Sequence, residues 1–258
     1  MADPGDVADP GEFYDPFARV DDARLIQQEG YAGGEDVEFY RELARECDGP
    51  ALQVGVRTGR VCLELLDDGR DVDGFDLSAG NLERLRANAE SRGLQPSVWV
   101  DDATDFDVDR EYALVYAPAQ VFNFLDTLSK QRDALENIRD ALAPGGRFAV
   151  NTYVPRFELV ANYGEPRETE VTIDGETYRH VQTTTLEDEV EQVTRYRREL
   201  YHGGELVAER ETPMALIPKR QFELLFETTG FSDWRVYGDF ERSPLESATQ
   251  EMVWVARA

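Results

Sequence analysis

The chain has 258 residues, 41% of them hydrophobic, and its formal net charge is −26 at pH 7. This length allows one large domain, or one core domain with an inserted unit. A chain of this charge is repelled by nucleic-acid backbones and by anionic lipid surfaces, which argues against both as partners.

The first part of the chain predicts a disordered acidic tail followed by a helical cap. Residues 1–12 repeat Asp-Pro and Gly and contain few apolar side chains, which is typical of disorder. Residues 13–50 include a predicted helix at 36–47, where apolar side chains recur on one face. We therefore interpret residues 13–50 as a helical lid or cap.

Strands and helices then alternate along the chain. Strands are predicted to begin at residue 51 and to cover 72–77, 97–100, 112–117 and 147–152, with helices at 60–66, 79–92 and 129–142. Such regular alternation predicts an α/β fold, in which a mostly parallel sheet has helices on both faces.

The pattern changes after residue 155, where turn signals separate runs typical of hairpin strands. These strands are predicted at 168–173, 176–185, 189–201 and 205–213, and a helix at 218–229 and two closing strands at 234–237 and 252–256 follow. We therefore predict a core made of residues 51–154 and 214–258. Residues 155–213 form an antiparallel β platform inserted into it.

A glycine turn follows the first strand of the core. Gly55 and Gly59 allow a tight turn and a close approach of a ligand to the backbone. The helix after the turn offers unpaired N–H groups at its start. Asp76 ends the next strand, about twenty residues after Gly55, where a carboxylate can accept hydrogen bonds from ribose hydroxyls. Together these features predict an adenosine-containing cofactor.

With these motifs, the chain resembles the class I S-adenosylmethionine-dependent methyltransferases. The resemblance covers the glycine turn, Asp76, the Asp102-Ala103 pair, the turn Leu142-Ala143-Pro144-Gly145-Gly146-Arg147 and the closing strands after Gly230-Phe231. It implies a Rossmann-like methyltransferase sheet with helices on both faces. The inserted platform resembles that of small-molecule N-methyltransferases and implies that this insertion lies on the substrate side.

The resemblance also implies which residues bind S-adenosyl-L-methionine. Gly55, Gly59 and Ala117 fall at the methionine end. Asp76 falls at the ribose, and Leu77, Asp102 and Ala103 fall at the adenine. Tyr14 is a further candidate, either as part of a lid over the cofactor or as an anchor of an N-terminal helix.

Two positions depart from the family pattern. Gln53 stands where the family usually has an acid, so it gives the cofactor's ammonium no charged partner. Arg57 stands where a third glycine is usual, and it either pairs with the methionine carboxylate or obstructs the cavity. Both residues are kept in the predicted cofactor-binding set.

The histidines and several aromatic residues each have a structural interpretation as well as a functional one. His180 is a candidate general base, but a lone histidine in a strand is more often structural. Neither histidine makes a metal site, and the cysteine spacing gives none. Several aromatic side chains either line a substrate cavity or pack in the core, namely Phe122, Phe124, Tyr153 and Tyr163.

We expect a methyltransferase that acts on a small molecule, at nitrogen or oxygen, by direct in-line methyl transfer. No catalytic residue is predicted, because the sulfonium reagent is already activated. Two alternatives stay open: a non-catalytic protein of this fold that binds S-adenosylmethionine or an adenosine ligand, and a NAD-dependent oxidoreductase. The Pro144-Gly145-Gly146 turn argues against the oxidoreductase.

The composition also predicts the protein's surroundings. The acid is spread along the whole chain, which indicates a surface suited to high salt and a halophilic source. No long apolar run and no secretory signal pattern occur, so we expect a cytoplasmic protein. The expected partner is a small-molecule methyl acceptor, without nucleic acid or membrane.

Overall fold

The computed structural model describes residues 17–23 and 34–258. The predicted disordered tail at 1–12 therefore lies outside the described residues. The described helices are α1 (residues 17–23), α2 (Glu35–Glu46), α3 (Cys62–Asp67), α4 (Ala79–Ser91), α5 (Leu128–Ala141), α6 (Phe157–Ala161) and α7 (Lys219–Thr228). None of them is long and apolar enough to cross a membrane.

A seven-stranded sheet forms the core, in the order β10-β11-β5-β4-β1-β2-β3. Its strands are β1 (Ala51–Val54), β2 (Val72–Asp76), β3 (Ser97–Val100), β4 (Tyr112–Ala117), β5 (Leu142–Tyr153), β10 (Asp233–Tyr237) and β11 (Glu251–Arg257). The first five strands run parallel, and β11 pairs antiparallel with both β5 and β10. Parallel β1, β2 and β4 therefore end at one edge of the sheet, where ligands of open α/β sheets bind.

Hydrophobic clusters cover both faces of this sheet, as expected for strands with largely apolar runs. One cluster joins the sheet to α5 and α7 and contains Phe148, Phe222 and Trp254. The other joins it to α2, α3 and α4 and contains Tyr40 and Tyr116. The predicted fold class is confirmed.

A second sheet has four antiparallel strands in the order β6-β7-β8-β9. These are β6 (Arg167–Ile173), β7 (Glu176–Asp188), β8 (Val193–His202) and β9 (Glu205–Ala215), and we call them the platform. Helix α1 packs on the platform through Phe17 and Val20, which contact Val171 and Leu200. An N-terminal helix and the inserted sheet thus pack against each other.

Three details differ from the sequence prediction. The strand predicted at 189–201 begins only at Val193, because Gln192 adopts a left-handed conformation with φ 57° in the preceding turn. The turn predicted at 143–146 lies inside β5 as a bulge: Leu142 pairs with Tyr112, and the next pair is Arg147 with Leu114. The short helix α6 was not predicted.

The charge of the chain leads to a prediction about stability. The net charge is −26, so the excess acidic side chains repel one another in the folded state, and dissolved ions screen that repulsion. We expect the unfolding temperature to rise markedly between low salt and molar potassium chloride. Thermal denaturation followed by circular dichroism measures it, and a salt-independent curve would contradict the predicted high-salt surface.

Candidate functional site

Three adjoining cavities lie where the parallel strands end. The strand-end cavity is lined by residues of β1, β2, β4 and α5 and by the platform, among them Gly55, Asp76, Leu77, Ala103 and Ala117. The turn cavity is lined by residues around the glycine turn and at the start of α2, among them Asp36, Gln53, Gly55, Pro118 and Glu251. The platform cavity lies between the core and the platform, and its lining includes Tyr153, Tyr163, Gln182, Tyr196 and Glu251. Arg57 lines all three.

Three hydrogen bonds hold the carboxylate of Asp76 in the strand-end cavity. One oxygen accepts hydrogen bonds from the Ser78 amide at 2.9 Å and from Asn81 Nδ2 at 3.0 Å. The other oxygen accepts from the Arg57 amide at 2.8 Å. Burial raises the pKa of Asp76, while these hydrogen bonds act to lower it. The carboxylate thus holds the glycine turn against the end of β2 and still lines the cavity.

Position 55 requires glycine for two reasons, its backbone conformation and the lack of space for a side chain. Its φ is +70°, and a Cβ atom there would lie 2.8 Å from Val121 Cγ1. The backbone therefore passes close to the cavity wall where any other side chain would intrude. Gly59 lies outside the linings of the three cavities, and its missing side chain makes room for Leu63 and Leu85.

The walls of the strand-end cavity are mostly apolar. Phe75, Leu77, Phe122 and Ile138 lie in its lining, and so do Asp101 and Asp102. Asp102 accepts hydrogen bonds from the amide and the hydroxyl of Thr104, both at 2.9 Å. A largely apolar lining that also contains carboxylates suits a purine ring that carries hydrogen-bond donors.

Arg57 belongs to a charged network that the sequence did not predict. Its guanidinium pairs with Asp21 of α1, and Asp21 also pairs with Arg198 of β8. Burial raises the pKa of Asp21, but the two positive charges outweigh it, so the pKa falls well below its usual range. Arg198 in turn donates to His180 Nε2 at 3.2 Å and lies over the Phe17 ring. This network connects α1, the glycine turn and the platform.

The platform contributes a roof that sequence reasoning missed. Gln182 and Tyr196 line both the strand-end cavity and the platform cavity, and Gln182 donates to the Tyr196 hydroxyl. Arg198, Arg210 and Thr212 complete the roof. Their alternation along antiparallel strands is the one sequence signal that marks a shared face, but it does not reveal which element that face covers.

The platform cavity has a volume of about 530 Å³. That lies within the roughly 300–1,000 Å³ typical of small-molecule sites. Phe124, Tyr153 and Tyr163 lie in its lining, and the two tyrosine hydroxyls are hydrogen-bonded to each other. Burial raises the pKa of both tyrosines. Both hydroxyls are therefore neutral polar groups at ordinary pH.

The predicted cofactor-binding residues are largely brought together. Gly55, Arg57, Asp76, Leu77, Asp102, Ala103 and Ala117 all line the strand-end cavity. Gln53 lines the turn cavity instead. Tyr14 lies outside the described residues, so its predicted role is not addressed.

The two histidines do not line any of the three cavities. His180 is fully buried and bonds to Arg198, while His202 lies on the surface near Glu176. The structural interpretation of His180 is therefore favoured over the general base. Within residues 17–23 and 34–258, no group of histidine, cysteine and acidic side chains is arranged to hold a metal ion.

Comparison with known proteins agrees with this geometry. Residues 51–146 match the profile of a family described as a methyltransferase domain. No match is found among curated protein sequences. A domain match over the glycine turn, β2, β3, β4 and the β5 bulge confirms the resemblance on which the site was predicted.

Solved structures extend the similarity to the whole chain. The CcbJ methyltransferase from Streptomyces caelestis has a TM-score of 0.76 at 21% identity, over 97% of this chain and 98% of that one. An S-adenosylmethionine-dependent methyltransferase from Clostridium acetobutylicum has 0.74 at 15% identity, over 95% and 98%. The sugar N-methyltransferase KedS8 from a Streptoalloteichus species has 0.72 at 18% identity, over 100% and 97%. Residues 51–146 thus match a methyltransferase domain, and over nearly its full length the chain has the fold of these methyltransferases.

Proposed function

We propose that this protein is an S-adenosyl-L-methionine-dependent methyltransferase that methylates a small molecule at an amine nitrogen. The methyltransferase assignment rests on the domain match. The observation that supports the site best is the carboxylate of Asp76, buried at the end of β2 and held beside the glycine turn.

The residues present fit an adenosyl cofactor. The Asp76 oxygen that accepts from the Arg57 amide has two lone pairs, so one acceptor position is left for a ribose hydroxyl. The apolar lining around Phe75 and Leu77 suits the adenine. Gly55 leaves space for the rest of the ligand, and the turn cavity continues from there.

The cofactor supplies an activated methyl group when it is bound. The chain's own task is to align the acceptor with that methyl group and to exclude water. Phe124 and Arg57 line both the strand-end cavity and the platform cavity. The acceptor therefore approaches through the platform cavity, and the platform supplies the substrate side of the site.

The charges of the platform cavity do not select the acceptor, since its lining contains Arg57, Arg156 and Arg167 as well as Glu165 and Glu251. A nitrogen acceptor is favoured over oxygen by the chemistry of the transfer. The two tyrosine hydroxyls provide neutral polar contacts. An alcohol acceptor would need a base to remove its proton, whereas a neutral amine attacks through its lone pair and needs none. The described lining offers no histidine as that base, and its carboxylates are Glu165 and Glu251.

The test combines binding with turnover. Calorimetric titration in molar potassium chloride should show binding of S-adenosylhomocysteine and none of NAD. Incubation with S-adenosylmethionine and a panel of small amines, hydroxy acids and sugars should yield a methylated amine by mass spectrometry. Binding without transfer to any acceptor would favour the non-catalytic alternative, and binding of NAD alone would favour the oxidoreductase.

A further inference from the structure

Three carboxylates line the turn cavity, and they differ in whether an arginine pairs with them. Asp21 pairs with Arg57 and Arg198, and Asp36 pairs with Arg60. Both therefore have their negative charge compensated within the protein. The third carboxylate is Glu251, at the start of β11.

Glu251 has no cationic partner within the described part of the chain. Its hydrogen-bond donors are the amides of Asn151, at 3.4 Å, and Gln120. The orientation of the Asn151 amide is fixed, since its oxygen accepts from Tyr40 at 3.1 Å and from the Ala119 amide at 2.9 Å. The Asn151 NH₂ group must therefore face Glu251. Partial burial without a counterion raises the pKa of Glu251.

Gln53 offers a second unused acceptor in the same cavity. It is only 2% exposed, and its amide NH₂ donates to the Gly55 carbonyl at 3.3 Å. Its side-chain oxygen has no hydrogen-bond partner among the residues that the structure describes. A buried acceptor left unpaired costs free energy, which a ligand N–H group would recover.

Strand pairing places these two groups on one face of the sheet. Gln53 pairs with Tyr116 on β4, and Tyr116 pairs with Ala149 on β5. Asn151 lies two residues further along β5, and Glu251 lies two residues before Val253, the partner of Asn151. Alternate residues of a strand share a face, so Gln53, Asn151 and Glu251 lie on the same face of the sheet, and all three line the turn cavity.

We infer that Glu251 and the side-chain oxygen of Gln53 together bind the ammonium group of the S-adenosyl ligand. This inference rests on the proposed function. The ligand has one ammonium group, on its amino-acid end, and the turn cavity continues from the cavity that suits its adenosine. A carboxylate on β11 thus supplies the charge that Gln53 on β1 lacks.

The test uses two ligands that differ at this end. S-adenosylhomocysteine has the ammonium group, whereas 5′-methylthioadenosine has the adenosine and sulfur without the amino acid. Glu251→Gln should weaken binding of S-adenosylhomocysteine by about ten- to hundredfold, the range for a hydrogen bond to a charged group. Binding of 5′-methylthioadenosine should stay within about twofold, since that ligand does not reach Glu251. Isothermal titration calorimetry measures both affinities.

Two further variants complete the test. Glu246→Gln makes the same charge change at an exposed position outside the three cavities, and it should leave both affinities unchanged. Gln53→Glu, added to Glu251→Gln, returns a carboxylate to the cavity and should restore most of the S-adenosylhomocysteine affinity. Restoration would show that the first variant had lost a charge and not its fold.

The outcomes separate this inference from the proposed function. If wild type binds S-adenosylhomocysteine and Glu251→Gln binds it equally well, the inference is wrong and the function stands. Equal weakening of both ligands would also overturn it, because the effect would then not depend on the ammonium group. If wild type binds neither ligand, the proposed function fails and the inference fails with it.

Discussion

Replacing Asp76 with alanine is expected to weaken S-adenosylhomocysteine binding by about 1–3 kcal/mol, and by more if the glycine turn shifts. The substitution removes the predicted ribose acceptor. It also leaves three donors without their acceptor: the amides of Arg57 and Ser78 and the side chain of Asn81. Because these donors hold the turn, we expect a lower unfolding temperature as well. Calorimetric titration and thermal denaturation measure the two effects.

Two comparison variants isolate the role of Asp76. Asp76→Asn keeps the side-chain volume but turns one acceptor into a donor, so it should weaken binding while preserving more stability. Asp105→Ala removes an exposed carboxylate that lies outside the three cavities, and it should change neither measurement. Equal affinity of Asp76→Ala and wild type would rule out the ribose assignment.

Replacing Asp21 with alanine should also have a large effect, because this one carboxylate forms ion pairs with two arginines. Its side chain is only 12% exposed, and that of Arg198 is 7% exposed. Removing the carboxylate takes away the ion-pair partner that the guanidinium groups of Arg57 and Arg198 share. Breaking a buried pair costs about 3–5 kcal/mol. We expect about 2–4 kcal/mol here, since Arg57 is 37% exposed and solvent screens part of its charge.

The pH range in which Asp21 stabilises the protein follows from the direction of its pKa shift. Its pKa in the folded state is lower than in the unfolded state, because Arg198 and Arg57 favour the charged form. Its stabilisation is therefore complete above the ordinary aspartate pKa. It is lost only as the pH falls through the lower, folded-state value. The loss of stability in Asp21→Ala should accordingly be full at pH 7.

The same helix provides the control for Asp21. Arg19 forms an exposed ion pair with Asp174. Exposed pairs contribute about 0–1 kcal/mol, so Arg19→Ala should have little effect. Urea denaturation of the two variants gives their free energies of unfolding. Similar values would mean that the network of Arg57, Asp21 and Arg198 does not hold α1 to the platform.

Local signals were sufficient to predict most of the core. The bounds of β3 and β4 and the end of α4 just before Gly93 follow from hydrophobic period and glycine position. For residues 143–146, local signals were not sufficient to predict the structure. Glycine and proline there predicted a break in structure, but the segment is a bulge within β5, because β4 pairs on both sides of it.

The sequence by itself determined that the chain builds an α/β core with a glycine turn and an acid at the end of β2, because those features depend on residues near one another in the chain. It also determined that Gln53 and Arg57 depart from the family pattern. Only the tertiary structure showed which charged groups lie near these two residues. Asp21 reaches Arg57 from 36 residues away, and Arg198 reaches Asp21 from 177 residues away. Glu251 reaches the turn cavity from the last strand. No local pattern encodes these contacts, since charge pairing across a cavity depends on how separate elements pack and not on residue spacing.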